Sequence, residues 1–473
     1  MLDMTRPRPS GRTRRRVRLG AVVAALACAV SAVGMTSVAT SPTAVAADPT
    51  LGSGGEYHPL TPKRIYDTRN GVNDTAPLGK KPANRSGASF NVALLGQGGI
   101  PASRAEVLAV VLNVTVTEPG AAGYLSIRPA GSSNAESSLV NFEAGRTVPN
   151  MAIVGVGSNG AATATLVTPA GNSSAHVLID VFGWISTSGF VDARDTGSRI
   201  VPTSPSRILD TRSTPTPAGW AAGRAMCQQE QLALQVRGAR GVPNDPSISG
   251  VVVNGTGSDL GGGTYLAAMP TRMSGSEAPT SVTNLNHLQV KANTAIVPIG
   301  PDGKIHIFNR MGSTHVIVDV LGYLQQGHSA SSTTGRVIPL EAPFRAFDTR
   351  QDAFAKVPLG TNATEDWSFK AFTGSVSLNG TSIGAQSGLI GNLTATGLTR
   401  TVPSRPADSY LTAFPGGTGR PNSSHLNLRE GESVPNMALL KYGSVNGDAN
   451  TLRIYNYDGA VHYILDVYAV ILA

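Results

Sequence analysis

The chain has 473 residues, 41% of them hydrophobic and 14% charged, with a formal net charge of +8 and two cysteines. Most of that charge sits in the first 46 residues: without them Lys+Arg falls from 38 to 31 and Asp+Glu from 30 to 29, so the surplus that nucleic-acid binding needs is gone. Cys227 is then left alone, which excludes an intramolecular disulfide, and no later apolar run of about 18 residues exists to span a membrane.

Residues 1–46 read as an export signal. Seven arginines between Arg6 and Arg18 precede the apolar run LGAVVAALACAVSAVGM, and Ala44-Val45-Ala46 offers a cleavage site, which places the mature start near Ala47 or Asp48 and the protein outside the cell. The stretch TRRRVRL resembles a twin-arginine signal, although Val17 stands where a bulkier apolar residue is expected, and the general secretory and twin-arginine routes both stay open. Cys28 reads as part of the signal core rather than as a lipid anchor, because the apolar run continues past it.

The remainder is one unit read three times, with expected domains at 56–186, 200–325 and 337–473. Each unit opens on Arg-x-x-Asp-Thr-Arg: Arg64, Asp67 and Arg69; Arg207, Asp210 and Arg212; Arg345, Asp348 and Arg350. An asparagine follows 44 to 46 residues after the aspartate, as Asn113, Asn254 and Asn392, within runs rich in Val, Leu, Gly and Thr. Next come a strand-opening tyrosine (Tyr124, Tyr265, Tyr410) and two asparagines nine apart, Asn141 and Asn150, Asn284 and Asn293, Asn427 and Asn436. Each unit closes on His-x-x-x-Asp-Val, with His176 and Asp180, His315 and Asp319, His462 and Asp466.

Short segments rich in β-branched residues, separated by Gly- and Pro-containing turns, and the absence of helical periodicity make the fold class all-β. Seven to nine strands per unit predict three homologous β-sandwich, jelly-roll-like domains in tandem, either strung on short linkers or packed around a pseudo-threefold axis.

Alternation along the closing strand places Val177, Ile179 and Val181 on one face and His176, Leu178, Asp180 and Phe182 on the other, so the aspartate sits among apolar neighbours. A carboxylate there needs a partner. The first strand supplies Arg64 and Arg69, and bidentate Arg–carboxylate pairing of first and last strands is the structural reading of the motif in all three units.

The ligand reading instead gathers Asn113, Tyr124, Asn141 and His176, with Asn254, Tyr265, Asn284 and His315 and with Asn392, Tyr410, Asn427 and His462, into repeated binding sites. Calcium would suit such oxygen donors, but they are spread over strands rather than gathered in one loop. A histidine and an aspartate four apart on a strand lie about 13 Å apart, too far for one zinc ion. No cofactor is therefore expected, and no nucleophile elbow, metalloprotease motif or phosphate loop points to an enzyme.

The set R-x-x-DTR, LNVT-x-T, GYL, VPN and H-x-x-x-DV-x-GY resembles a domain that recurs in secreted proteins of high-GC Gram-positive bacteria, in tandem or appended to extracellular hydrolases. It covers residues 56–473. The resemblance implies secretion and modularity and brings no activity with it. The third unit departs from it, with DVYAV in place of the Gly-aromatic pair and GNLTAT around Asn392. The expected function is non-catalytic attachment to a cell-wall or extracellular polysaccharide, with a structural or protein-interaction role in the envelope as the alternative and a glycan-active enzyme third. Three equal modules would act by avidity.

Overall fold

The computed structural model describes residues 53–72, 78–133, 137–190, 197–213, 216, 219–278, 280–329, 331–352, 356–370, 377–378, 381–382, 384–400 and 408–473. The expected signal peptide and its cleavage site lie outside the described residues.

The first unit forms β1 (Tyr57–Asp67), β2 (Lys81–Ala83), β3 (Ala88–Ala93), β4 (Val107–Thr117), β5 (Gly123–Pro129), β6 (Val140–Phe142), β7 (Val148–Gly155), β8 (Ala161–Val167) and β9 (Ser173–Ser186). The second forms β10 (Arg199–Asp210), β11 (Gln231–Gln235), β12 (Ile248–Asp259), β13 (Thr264–Met269), β14 (Thr283–Leu285), β15 (Val290–Pro298), β16 (Lys304–Asn309) and β17 (Thr314–Gln325). The third forms β18 (Val337–Asp348), β19 (Ala363–Ser368), β20 (Ser377–Leu378), β21 (Thr381–Ser382), β22 (Gln386–Thr399), β23 (Asp408–Pro415), β24 (Leu426–Arg429), β25 (Ser433–Lys441), β26 (Gly443–Val445), β27 (Asp448–Asn456) and β28 (Ala460–Leu472).

Every unit builds an inner sheet, ordered β1-β9-β4-β7, β10-β17-β12-β15 or β18-β28-β22-β25, and an outer one, ordered β3-β8-β5-β6, β11-β16-β13-β14 or β19-β27-β23-β24. That winding, the same three times, is jelly-roll-like. No described helix is long and apolar enough to cross a membrane.

Between its two sheets each unit buries an apolar core, for example Val110, Leu125, Ala164 and Ile179 in the first. The inner sheets are apolar on their second face as well. β4 is buried along its whole length, as a strand covered on both faces must be. Ile153, Ile296 and Leu439, at equivalent places on β7, β15 and β25, belong to a single cluster drawn from all three units. Those three strands touch one another in pairs around a pseudo-threefold axis.

The arrangement expected from the sequence, three sandwiches in tandem, is therefore corrected. Six small sheets stand in one propeller-like ring, two from each unit. The physical reason is the second apolar face: left exposed in a string of separate domains it would cost about 25 cal/mol for each Å² facing water.

The linkers close one end of the ring. Gly55 exchanges backbone hydrogen bonds with Val337, and Tyr57 with Ser198. A Cβ at Gly55 would fall 1.6 Å from the Ser186 carbonyl oxygen, so only glycine permits this crossing. Arg199, 1% exposed, donates to Glu56 at 2.7 Å and to the carbonyls of Ser329, Ser332 and Thr334, so a buried cation ties the starts of units one and two to the second linker.

Candidate functional site

In a regular strand Arg64 and Asp67, three apart, would point to opposite faces. A bulge in β1 between Arg64 and Tyr66 turns both to the same side, and the same irregularity falls after Arg207 and Arg345. A ladder of charges results. Arg64 grips Asp180 through Nε and Nη2 at 2.8 and 3.1 Å and reaches Asp67 with Nη1 at 3.0 Å. Arg69 grips Asp67 through its own fork at 3.2 and 3.1 Å.

Units two and three repeat this. Arg207 is held by Asp319 and Arg345 by Asp466, each through a 2.9 Å contact from Nε, while Arg212 and Arg350 fork onto Asp210 and Asp348. Among the described residues the second arginine of each motif hydrogen-bonds to its own aspartate and not to the closing strand, so of the two expected partners of Asp180 Arg64 makes the pair and Arg69 does not.

Although burial alone raises them, Asp67, Asp210 and Asp348 are held below the usual carboxylate range by the arginines around them, Arg69, Arg212 and Arg350 foremost. Burial lifts Asp319 and Asp466 above it despite their arginines.

The histidines are brackets in the same assembly. The Thr68 hydroxyl accepts the Val177 N–H at 3.0 Å and shares a second hydrogen bond with His176 Nδ1 at 2.9 Å. Thr211 with His315 and Thr349 with His462 are built alike. Each Thr of the motif therefore locks first strand to last strand.

Asn113, Asn254 and Asn392 pair in register with Asp180, Asp319 and Asp466. They are buried between units and face no solvent, which corrects their reading as ligand contacts. At the junction of units three and one, Asn392 donates to the Ser138 carbonyl and accepts from Asn150 at 2.9 Å, while Ser138 N–H donates to Asp466 at 3.1 Å. At the junction of units two and three, Asn254 donates to the Ser424 carbonyl and accepts from Asn436 at 2.8 Å, while Ser424 N–H donates to Asp319 at 3.2 Å. At the equivalent place in unit one, Asn113 Oδ1 is buried with no partner among the described residues.

At the end of the ring away from the linkers lies a pocket of about 550 Å³ lined by all three units. β4 fixes the direction: its start, Val107, pairs with Ser186 beside the linkers, and its end, Thr117, pairs with His176. The walls come from the connections that enter β7, β15 and β25, with Glu143 and Arg146 from the first, Asn286 and Gln289 from the second and Arg429 and Glu432 from the third.

Of the twelve ligand candidates, Tyr124, Asn141 and Asn427 line this pocket. Tyr265 instead accepts the Ala278 N–H, Asn284 donates to Ser281, and Tyr410 stacks on Tyr457 at 4.8 Å between ring centres.

The sequence reading missed Lys291. It is 7% exposed, lines the pocket, and stands two residues before Asn293, where the other units place Val148 and Val434. That register, Val, Lys, Val, was the available signal.

No described group of three or more His, Cys, Asp or Glu stands where it could hold a metal ion. The motif carboxylates are already occupied by guanidinium groups.

No protein-family model matches the chain, and no curated protein does. Among solved structures, "The Triple Jelly Roll Fold and Turret Assembly in an Archaeal Virus" is 10% identical over 89% of this chain and 90% of that one, with a TM-score of 0.18. The atomic structure of Sulfolobus Turreted Icosahedral Virus is 9% identical over 88% and 91%, with a TM-score of 0.18. The N-terminal CBM22-1-CBM22-2 tandem domain from Paenibacillus barcinonensis Xyn10C is 10% identical over 57% and 99%, with a TM-score of 0.16. Likeness of this degree carries no argument about what this chain binds.

Proposed function

We propose that this is a secreted, non-catalytic protein of the kind recurrent in high-GC Gram-positive bacteria, which attaches to a cell-wall or extracellular polysaccharide through one axial pocket rather than through three equal sites. The observation that carries this reading is the shared pocket, about 550 Å³ and walled by polar and charged side chains from every unit. Its size fits a few sugar rings, and its amide, carboxylate and guanidinium groups match hydroxyl-rich ligands. Tyr124 contributes an aromatic ring to the wall. The charged ladders take no part in binding on this reading; they keep the ring closed so that the walls are held in place.

Co-sedimentation of the mature chain, from Asp48 onward, with peptidoglycan, chitin, cellulose and envelopes of the producing cell tests it. Pelleting is expected with at least one of these, unaffected by EDTA and lost in Ser433→Trp, which fills the pocket from an exposed position of its wall. Failure to pellet with any of them, or pelleting that survives Ser433→Trp, overturns the reading and turns the assignment toward an envelope protein partner.

A further inference from the structure

We propose that the axial pocket selects an acidic saccharide, one bearing a carboxylate or a phosphate, whose anion pairs with the ammonium of Lys291. The inference rests on the glycan reading above and narrows it to a ligand class.

Three observations converge on Lys291. First, it breaks the threefold pattern: the equivalent positions in units one and three hold Val148 and Val434, so the inner sheet itself does not require a cation there. Secondly, it is 7% exposed, and no hydrogen bond or ion pair of its ammonium is found among the described residues. Thirdly, it lines the pocket, so the ammonium adjoins space that a ligand can enter.

A lysine buried to this degree whose ammonium has no hydrogen-bonded counter-charge is held at a cost. Valine at the same position in the sister units avoids that cost. A lysine kept there is accounted for if an anion arrives to meet it.

The charged and titratable groups that line the pocket with Lys291 are Glu143 and Arg146 before β7, His287 before β15, Arg429 at the end of β24 and Glu432 before β25. Glu432 is the one that acts on Lys291 electrostatically, and its Oε2 already accepts the Arg429 N–H at 2.8 Å. Arg429 in turn donates to the Leu288 carbonyl at 2.6 Å, which fixes the wall across the boundary of units two and three. Burial holds the Lys291 ammonium down to about 8, with Glu432 opposing the shift, so it is still largely protonated at neutral pH. A carboxylate or phosphate entering the pocket therefore meets a largely buried positive charge, with Glu432 as the competing carboxylate of the wall.

The test compares retention of the mature chain on immobilised polygalacturonate, its fully methyl-esterified counterpart and a poly(glycerol phosphate). Wild type is expected to favour at least one acidic polymer over the neutral one by about tenfold, the strength of one charge-assisted contact. Preference for the carboxylate or for the phosphate polymer identifies which anion source the pocket takes. Lys291→Met should abolish the preference and Lys291→Arg should keep it. Glu432→Gln, which removes the competing negative charge, should increase it, whereas a merely structural Lys291–Glu432 contact would leave selectivity unmoved. The preference should also fade as pH rises past about 8.

Equal retention of acidic and neutral polymers, or a preference that survives Lys291→Met, overturns this inference and leaves the glycan reading intact. Retention on none of the three, together with failure to pellet on every insoluble polysaccharide and on envelopes, removes both.

Discussion

Replacing Asp319 by Asn should cost far more stability than replacing Asp180, although the two residues occupy the same place in their units. The Asp319 side chain is fully buried and carries three donors: Arg207 through Nε at 2.9 Å and Nη2 at 3.3 Å, and the Ser424 N–H from the neighbouring unit at 3.2 Å. Arg207 is itself only 12% exposed, so loss of the carboxylate leaves a desolvated guanidinium with only Asp210, at 3.3 Å, as its counter-charge, a cost of about 3 kcal/mol. Asp180 is gripped by Arg64, which is 36% exposed, and water compensates that arginine once its partner is gone. With this screening the loss falls to about 1–2 kcal/mol. Urea unfolding of the mature chain, comparing midpoints of wild type, Asp319→Asn and Asp180→Asn, measures the difference. Equal losses, or a larger loss for Asp180→Asn, would refute the claim that burial and the contact between units decide what the motif contributes.

Lys291→Val should stabilise the chain at pH 7 by about 3 kcal/mol, since lowering its value from 10.5 to about 8 reports a burial penalty of that order. The sign follows from linkage: the penalty is full below pH 8, where folded and unfolded chains both carry the proton, and vanishes above 10.5, where neither does. The stability difference between variant and wild type should therefore close across that window, and a calorimetric series in pH checks it. Asn254→Ala should cost roughly 2 kcal/mol more than Asn113→Ala, because Asn254 bridges two units while Asn113 Oδ1 already lacks a partner. Thermal unfolding of both variants decides this. Ending the chain after the second unit, at residue 325, uncovers Met151, Ile153 and Ile296 on the second face of their sheets, and that fragment should associate or precipitate in analytical ultracentrifugation rather than sediment as a compact monomer.

The all-β class was legible because strand runs such as VVLNVTVT and HVIVDV and the turns between them are local signals. The ring was not legible, and β4 shows why. Its unbroken apolar run states that both faces are covered but cannot say that the second cover is another copy of the same unit. The same ignorance governs the asparagines. Asn254, set in VVVNGTG, recurs as a binding residue would, and only the partner strand across the junction reveals that its amide is spent on Ser424 and Asn436. On a regular strand the Arg and Asp of Arg-x-x-Asp face opposite ways, and the bulge that turns them to one side leaves no mark of its own in the motif. Of the pocket's lining, Tyr124, Asn141 and Asn427 recur in all three units and are legible for that reason. Lys291 is not, because a search for what three copies share passes over the one residue in which they differ.

In this molecule three repeats make one site. Isothermal titration of the mature chain with an acidic oligosaccharide of the preferred type, read for stoichiometry, tests it most directly. One ligand per chain is expected, with binding lost in Ser433→Trp. Three ligands per chain would contradict it and restore three independent modules.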